Sequence, residues 1–213
     1  MAATRRPKLL VALALAAIGL AGKPAASASS GDFDYFILAL SWTPSWCEAE
    51  GDARGAAVCD AGADRGFVVH GLWPQRERGW PEFCPTDRRP PTRRETAAMA
   101  DIMGGSGLAW WQWRKHGVCS GLDAPDYFAL TREAFARVAL PETPVGRVSP
   151  RAVEESFLTA NPGFVADGVT VTCRDGLLRE VRLCFDRALE PRACAPDAAR
   201  DCRARNVRKP AIR

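Results

Sequence analysis

Histidine is scarce in this chain of 213 residues: there are two, His70 and His116. The eight cysteines include no C-x-x-C pair, and with so few imidazoles the usual zinc ligand sets are excluded, so neither a metal nor another cofactor is expected. A serine hydrolase is excluded on similar grounds. Gly104-Gly105-Ser106-Gly107-Leu108 does not complete a G-x-S-x-G elbow, and there is no spare histidine to serve the serine. The chain also lacks internal repeats, and after residue 28 it has no apolar run long enough to span a bilayer. Net charge is small as well. The formal +4 is accounted for by Arg5, Arg6, Lys8 and Lys23, all within the first 28 residues, which carry no acidic residue. Without them the protein is close to neutral. Affinity for phosphate must then come from local clusters such as Arg88, Arg89, Arg93 and Arg94 or the tail from Arg203 to Arg213, which a solvated surface explains as well.

What is present begins with a leader. Basic residues in MAATRRPK precede an apolar run from Leu9 to Ala21 that is too short to cross a membrane, and Ala26-Ser27-Ala28 supplies the small residues of a cleavage site. Residues 1–28 read as a signal peptide and residues 29–213 as a single domain, exported to a periplasm or to the medium and free of the membrane after cleavage. Cys47, Cys59, Cys84, Cys119, Cys173, Cys184, Cys194 and Cys202 all follow the leader. In an oxidising compartment they are expected to form four disulfides, which removes the thiolate a cysteine protease needs. Their spacing alone does not choose among the possible pairings.

The apolar pattern gives an α+β fold, a central antiparallel sheet flanked by helices. Residues 33–40 (FDYFILAL) are almost continuously apolar, as a central strand covered on both faces would be. Residues 66–73 (GFVVHGLW) form a second strand in which His70 shares a face with Val68 and Leu72. Helices are expected over 92–103, stopped by Gly104, over 108–116, closed by Gly117, and over 126–138. A fourth opens at Ser149-Pro150 and runs to Ala160 before Asn161-Pro162-Gly163. Residues 168–185 alternate around Asp175-Gly176, a two-residue hairpin signal. That register sets Cys173 opposite Leu178, far from Cys184, so those cysteines take separate partners. The tail after Cys202, residues 203–213, reads as loose.

Each histidine is followed by glycine inside an apolar, tryptophan-containing stretch, Val69-His70-Gly71-Leu72-Trp73 and Trp113-Arg114-Lys115-His116-Gly117. A lone buried histidine is usually structural, but two in matching contexts with none elsewhere point to a working pair. On a helix, Trp111, Gln112, Lys115 and His116 share one arc, with Trp110 and Trp113 on the other side. An imidazole beside an ammonium suits a reaction that moves protons and develops anionic charge, such as phosphodiester cleavage. The plainer reading is a solvated Lys115 at a helix C-terminus, where a cation is favoured anyway.

The stretches FVVHGLWPQ (67–75) and WQWRKHGVCSG (111–121), with the opening strand FILALSWTPSWC (36–47), resemble the ribonuclease T2 family of secreted acid endoribonucleases. The resemblance spans nearly the whole mature chain. It implies single-stranded RNA as substrate, cut without a metal through a 2′,3′-cyclic phosphate, with His116 as base, His70 as acid and Lys115 stabilising phosphoryl charge. By the same resemblance, Trp73 would stack on a base and Gln75 would hydrogen-bond one. The implied disulfides are Cys47 with Cys59, Cys84 with Cys119, Cys173 with Cys202 and Cys184 with Cys194. A monomer is expected.

The second motif departs from the family pattern His-Glu-Trp-x-Lys-His-Gly, with Trp111 and Gln112 in place of the histidine and glutamate. Gln112 can donate to a phosphoryl oxygen but cannot carry charge or relay a proton, and Trp111, counted here among the substrate-binding side chains, offers no cationic contact. A slower enzyme is expected. The alternative is a weakly active or non-catalytic extracellular member of the same scaffold that binds RNA or a protein. An acid and base pair would give a bell-shaped pH profile.

Overall fold

The computed structural model describes residues 30–213, so the expected signal peptide lies outside the described residues. Six strands, β1 (Tyr35–Trp42), β2 (Phe67–Gln75), β3 (Gly146–Val148), β4 (Val169–Arg174), β5 (Leu177–Phe185) and β6 (Val207–Lys209), form one mixed, mostly antiparallel sheet. β1 lies between β2 and β5, and β4 closes the far side of β5. Its near-continuous apolarity follows from that central place, since both of its faces are covered. The β4–β5 hairpin has the expected register, Arg174 opposite Leu177 and Cys173 opposite Leu178. Asp175 and Gly176 both adopt positive φ (51° and 76°), as a primed two-residue turn demands.

Among the described residues the α-helices are α1 (Thr43–Trp46), α2 (Arg93–Ala97), α3 (Ala100–Met103), α4 (Ser106–Lys115), α5 (Ala124–Ala136) and α6 (Pro150–Ala160). Phe36, Leu38, Leu40 and Trp42 on β1 join Val181, Leu183 and Phe185 on β5 and Trp113, Phe128 and Phe157 from the helices in one core. The opposite sheet face carries a smaller apolar cluster around Tyr35, Ile37 and the Cys184–Cys194 disulfide. The rest of that face also carries the polar side chains of Ser41, Glu180 and Arg182. No helix of the described residues is long and apolar enough to cross a membrane.

Two sequence expectations are corrected. The single helix over 92–103 is two short ones, α2 and α3, divided at Ala98–Met99. Thr96 hydroxyl bonds back to the carbonyls of Thr92 and Arg93, a contact that bends a helix, and Met99 N–H tightens onto the Thr96 carbonyl. The tail after Cys202 is tied down as β6, which pairs with β3 and meets β5 at Leu177–Arg208. Lys209 is buried, its ammonium 3.6 Å from the centre of the Trp42 ring and donating to the Thr143 carbonyl.

All four disulfides join the pairs that the family resemblance implies. Cys84–Cys119 fastens the segment after β2 to the turn that follows α4. Cys47–Cys59 closes the loop between β1 and β2.

Candidate active site

Opposite Leu40 and Ala39, β2 places Val69 and Gly71, leaving His70 as the extra residue of a β-bulge. The bulge resets the strand's alternation. Val69 and Leu72 both turn into the helix-side core, while Val68 and Trp73 stay on the other face, where His70 is aimed. The expected grouping of His70 with Leu72 is therefore wrong, because simple alternation cannot anticipate an inserted residue.

Across that face, His70 Nδ1 lies 2.6 Å from Glu180 Oε1. Burial alone would raise the Glu180 carboxyl, but its hydrogen bond with His70 and the charges of His70 and Arg182 outweigh this and hold it at about 2. An ionised carboxylate only accepts, so Nδ1 carries the hydrogen and donates, leaving Nε2 for a substrate. Arg182 holds the other oxygen of Glu180 through Nε (2.9 Å) and Nη2 (2.7 Å), and its guanidinium lies 5.2 Å from the Trp73 ring centre.

Trp73 stands between the two histidines. Its ring centre is 5.2 Å from that of His70, edge to face, and 5.3 Å from that of His116, stacked. Trp73 Nε1 donates to Gln112 Oε1 at 2.7 Å, so Gln112 fixes the indole through its amide oxygen. A Cβ on Gly71 would overlap both of those atoms, which is why glycine follows His70. Gln75 lies at the end of β2, buried, with its amide donating to the Pro74 carbonyl.

Lys115, in the last turn of α4, forms an ion pair with Glu82 at 3.2 Å. Its carbonyl accepts the N–H of Phe83, whose ring meets Trp111 edge-on at 5.9 Å. Trp111 is 44% exposed and lines a cleft of about 790 Å³ together with His70, Trp46, Leu178 and Arg179. Trp111, Gln112, Lys115 and His116 face different partners, Phe83 for the first, Trp73 for Gln112 and His116, and Glu82 for Lys115. Trp113 turns away into the core against Tyr127.

His116 is 7% exposed, and its Nδ1 has no partner among the described residues, which leaves Nε2 as the nitrogen available to a ligand. Burial first, then the positive charges of Lys115 and His70, push its imidazole down to about 3. The unfolded chain, with an ordinary histidine, binds that proton far more readily. The neutral imidazole's contribution to stability is therefore fully present above about pH 6.5 and is lost as the pH falls toward 3, at ~1.4 kcal/mol per unit. Urea unfolding at pH 7 and pH 4.5 is expected to show this slope in the wild type and a shallower one in His116→Asn. Equal slopes would place His116 in a solvated setting.

Glu180, Arg182 and Glu82 were not singled out from the sequence. The one signal for the first two is their position: in β5, LLREVRLCF, Leu178, Val181, Leu183 and Phe185 are buried in the core, and Glu180 and Arg182 share the opposite face. Within the arginine clusters, Arg88 pairs with Asp123, Arg89 with Glu95, Arg208 with Glu48 and Arg213 with Asp52. Cys47, Asp52 and Cys59 group donors of metal-binding type, but the two sulfurs are bonded to each other.

Comparison with known proteins matches residues 33–194 to the ribonuclease T2 family. A ribonuclease of Aeromonas hydrophila is 34% identical over 175 residues, covering 76% of each chain. Ribonuclease I of Escherichia coli K12 is 32% identical over 191 residues, covering 68% of this chain and 71% of that one. The solved structure of RNase NT in complex with 5′-AMP superposes with a TM-score of 0.63 at 22% identity, over 84% of this chain and 98% of that one. The chain belongs to the ribonuclease T2 family.

Proposed function

We propose that this protein is an exported endoribonuclease that cleaves single-stranded RNA by transesterification. The observation that carries the reading is that His70 and His116, from a strand bulge and a helix end, flank one indole. His116 Nε2 takes the proton of a ribose 2′-hydroxyl as the 2′-oxygen bonds to phosphorus. The bond from phosphorus to the 5′-oxygen then breaks, and His70 gives that oxygen its proton, leaving a 2′,3′-cyclic phosphate. Lys115 moves from Glu82 to the phosphoryl oxygens. Requirement for a 2′-hydroxyl spares DNA without any base contact.

Because His116 stays neutral far below pH 6.5, the acid limb of the kcat/KM profile belongs well below neutrality. Trp73, with its N–H and ring already engaged, acts as spacer between the histidines. Exposed Trp111 is the better platform for a base, a contact worth about 1–3 kcal/mol. Export rests on the leader pattern and the four disulfides.

Gln112 bears on the rate. Gln112→Glu keeps an acceptor for Trp73 and adds the missing carboxylate, so kcat for RNA is expected to rise with little change in KM. An unchanged kcat would confine Gln112 to anchoring Trp73.

The test is incubation of the oxidised protein with RNA in EDTA, scoring 2′,3′-cyclic ends. Cyclic ends are expected from the wild type. Their absence at every pH would turn the reading toward a scaffold that binds RNA without cutting it.

A further inference from the structure

Sheet geometry alone does not require a charge at position 180. Glu180 pairs with Ser41 on one side and Thr172 on the other. Its side chain is 2% exposed, and burying a carboxylate costs several kcal/mol unless partners compensate. A threonine like Thr172 would continue the strand at lower cost. The carboxylate nevertheless has two partners. His70 donates to one oxygen and Arg182 grips the other twice.

The backbone is arranged to let them meet. His70 and Glu180 lie on strands separated by β1, so about 10 Å of sheet must be bridged. Ala39 and Ser41, the β1 residues beneath, are small, and the bulge frees His70 from pairing with β1. Without the inserted residue, strand alternation would not place both His70 and Leu72 where they are found.

We propose that Glu180, locked by Arg182, is the positioning residue for His70: its carboxylate fixes Nδ1–H, turns Nε2 toward the cleft and sets a negative charge against the imidazole that serves as the acid. This rests on the reading of His70 as the acid given above. Glu180 touches no reacting atom and works only through His70. Other charged groups near the imidazole are His116, whose charge couples to it, and Glu50, Arg54, Arg174, Asp175 and Arg179 along the same cleft. None of these holds Nδ1.

The experiment compares two substrates, a dinucleoside phosphate with an alkoxide leaving group and a nucleoside 3′-(4-nitrophenyl phosphate), whose leaving group needs little help from an acid. Glu180→Gln is expected to lower kcat on the dinucleoside by about 10- to 100-fold with KM little changed. On the aryl ester the loss should shrink to less than about threefold. The alkaline limb of the dinucleoside profile should move about one unit lower. In a His70→Ala background the same substitution should add nothing.

Equal losses on both substrates with an unmoved alkaline limb, or a full additional loss in the His70→Ala background, would overturn the proposal. Glu180→Asp, which keeps the charge, should restore the limb and serves should the glutamine variant fold poorly. His70→Ala separates the two levels. If it is equally impaired on both substrates while the double variant shows no further loss, Glu180 still acts through His70 but His70 is not the acid.

Discussion

With His116 replaced by alanine, kcat/KM for RNA is expected to fall by about 100- to 10,000-fold, and cyclic ends to disappear with it. The size follows from the environment of the imidazole. A base must be neutral when it meets the 2′-hydroxyl, and burial together with Lys115 and His70 keeps His116 neutral far below the ordinary histidine range. Its stacking on Trp73 fixes where Nε2 points. His116→Asn keeps a polar group of similar reach but offers no basic nitrogen, so its rate should fall alongside that of the alanine variant. Recovery of rate in His116→Asn would mean that the position supplies shape or a hydrogen bond rather than a base. Steady-state kinetics on a dinucleoside phosphate measure both.

Lys115 carries the second large effect. Lys115→Ala is expected to lower kcat by about 100- to 1,000-fold with a smaller change in KM, the range seen when one preorganised donor to developing charge is removed. The ammonium is already near the site, held by Glu82 at 3.2 Å, with the neighbouring backbone tied by the Phe83–Lys115 hydrogen bond and by the Cys84–Cys119 disulfide. If Lys115 serves the phosphoryl group as proposed, Glu82 competes with the phosphate for the same cation. Glu82→Gln should leave kcat near that of the wild type and tighten substrate binding, most clearly at low salt, where exposed charges are least screened. A Lys115→Ala enzyme with unaltered kcat would show that the ammonium stays with Glu82 throughout.

Much of this structure could be read from the chain because local chemistry and tertiary packing agree. Asp175-Gly176 sets the β4–β5 register through a turn that few other pairs can adopt, and Ser149-Pro150 begins α6 where expected. His70, Lys115 and His116 were legible because histidine is scarce and because the motifs around them are specific. The bulge was not legible. It depends on the register between β1 and β2, and local pattern shows only that apolar residues surround His70. Glu180 stayed hidden for a related reason: a single carboxylate in a strand has no signature until the fold sets it opposite a histidine from another strand. Lys209 looked like part of a loose basic tail and is buried instead, because its partner is the distant Trp42 ring.

The most direct test of the chemistry uses a DNA oligonucleotide that contains one ribonucleotide. A single cut is expected immediately 3′ of that ribose, leaving a cyclic phosphate, and no cut when its 2′-hydroxyl is methylated. Cleavage at the methylated position, or at deoxynucleotides, would contradict a mechanism in which His116 activates the 2′-oxygen and His70 releases the 5′-oxygen.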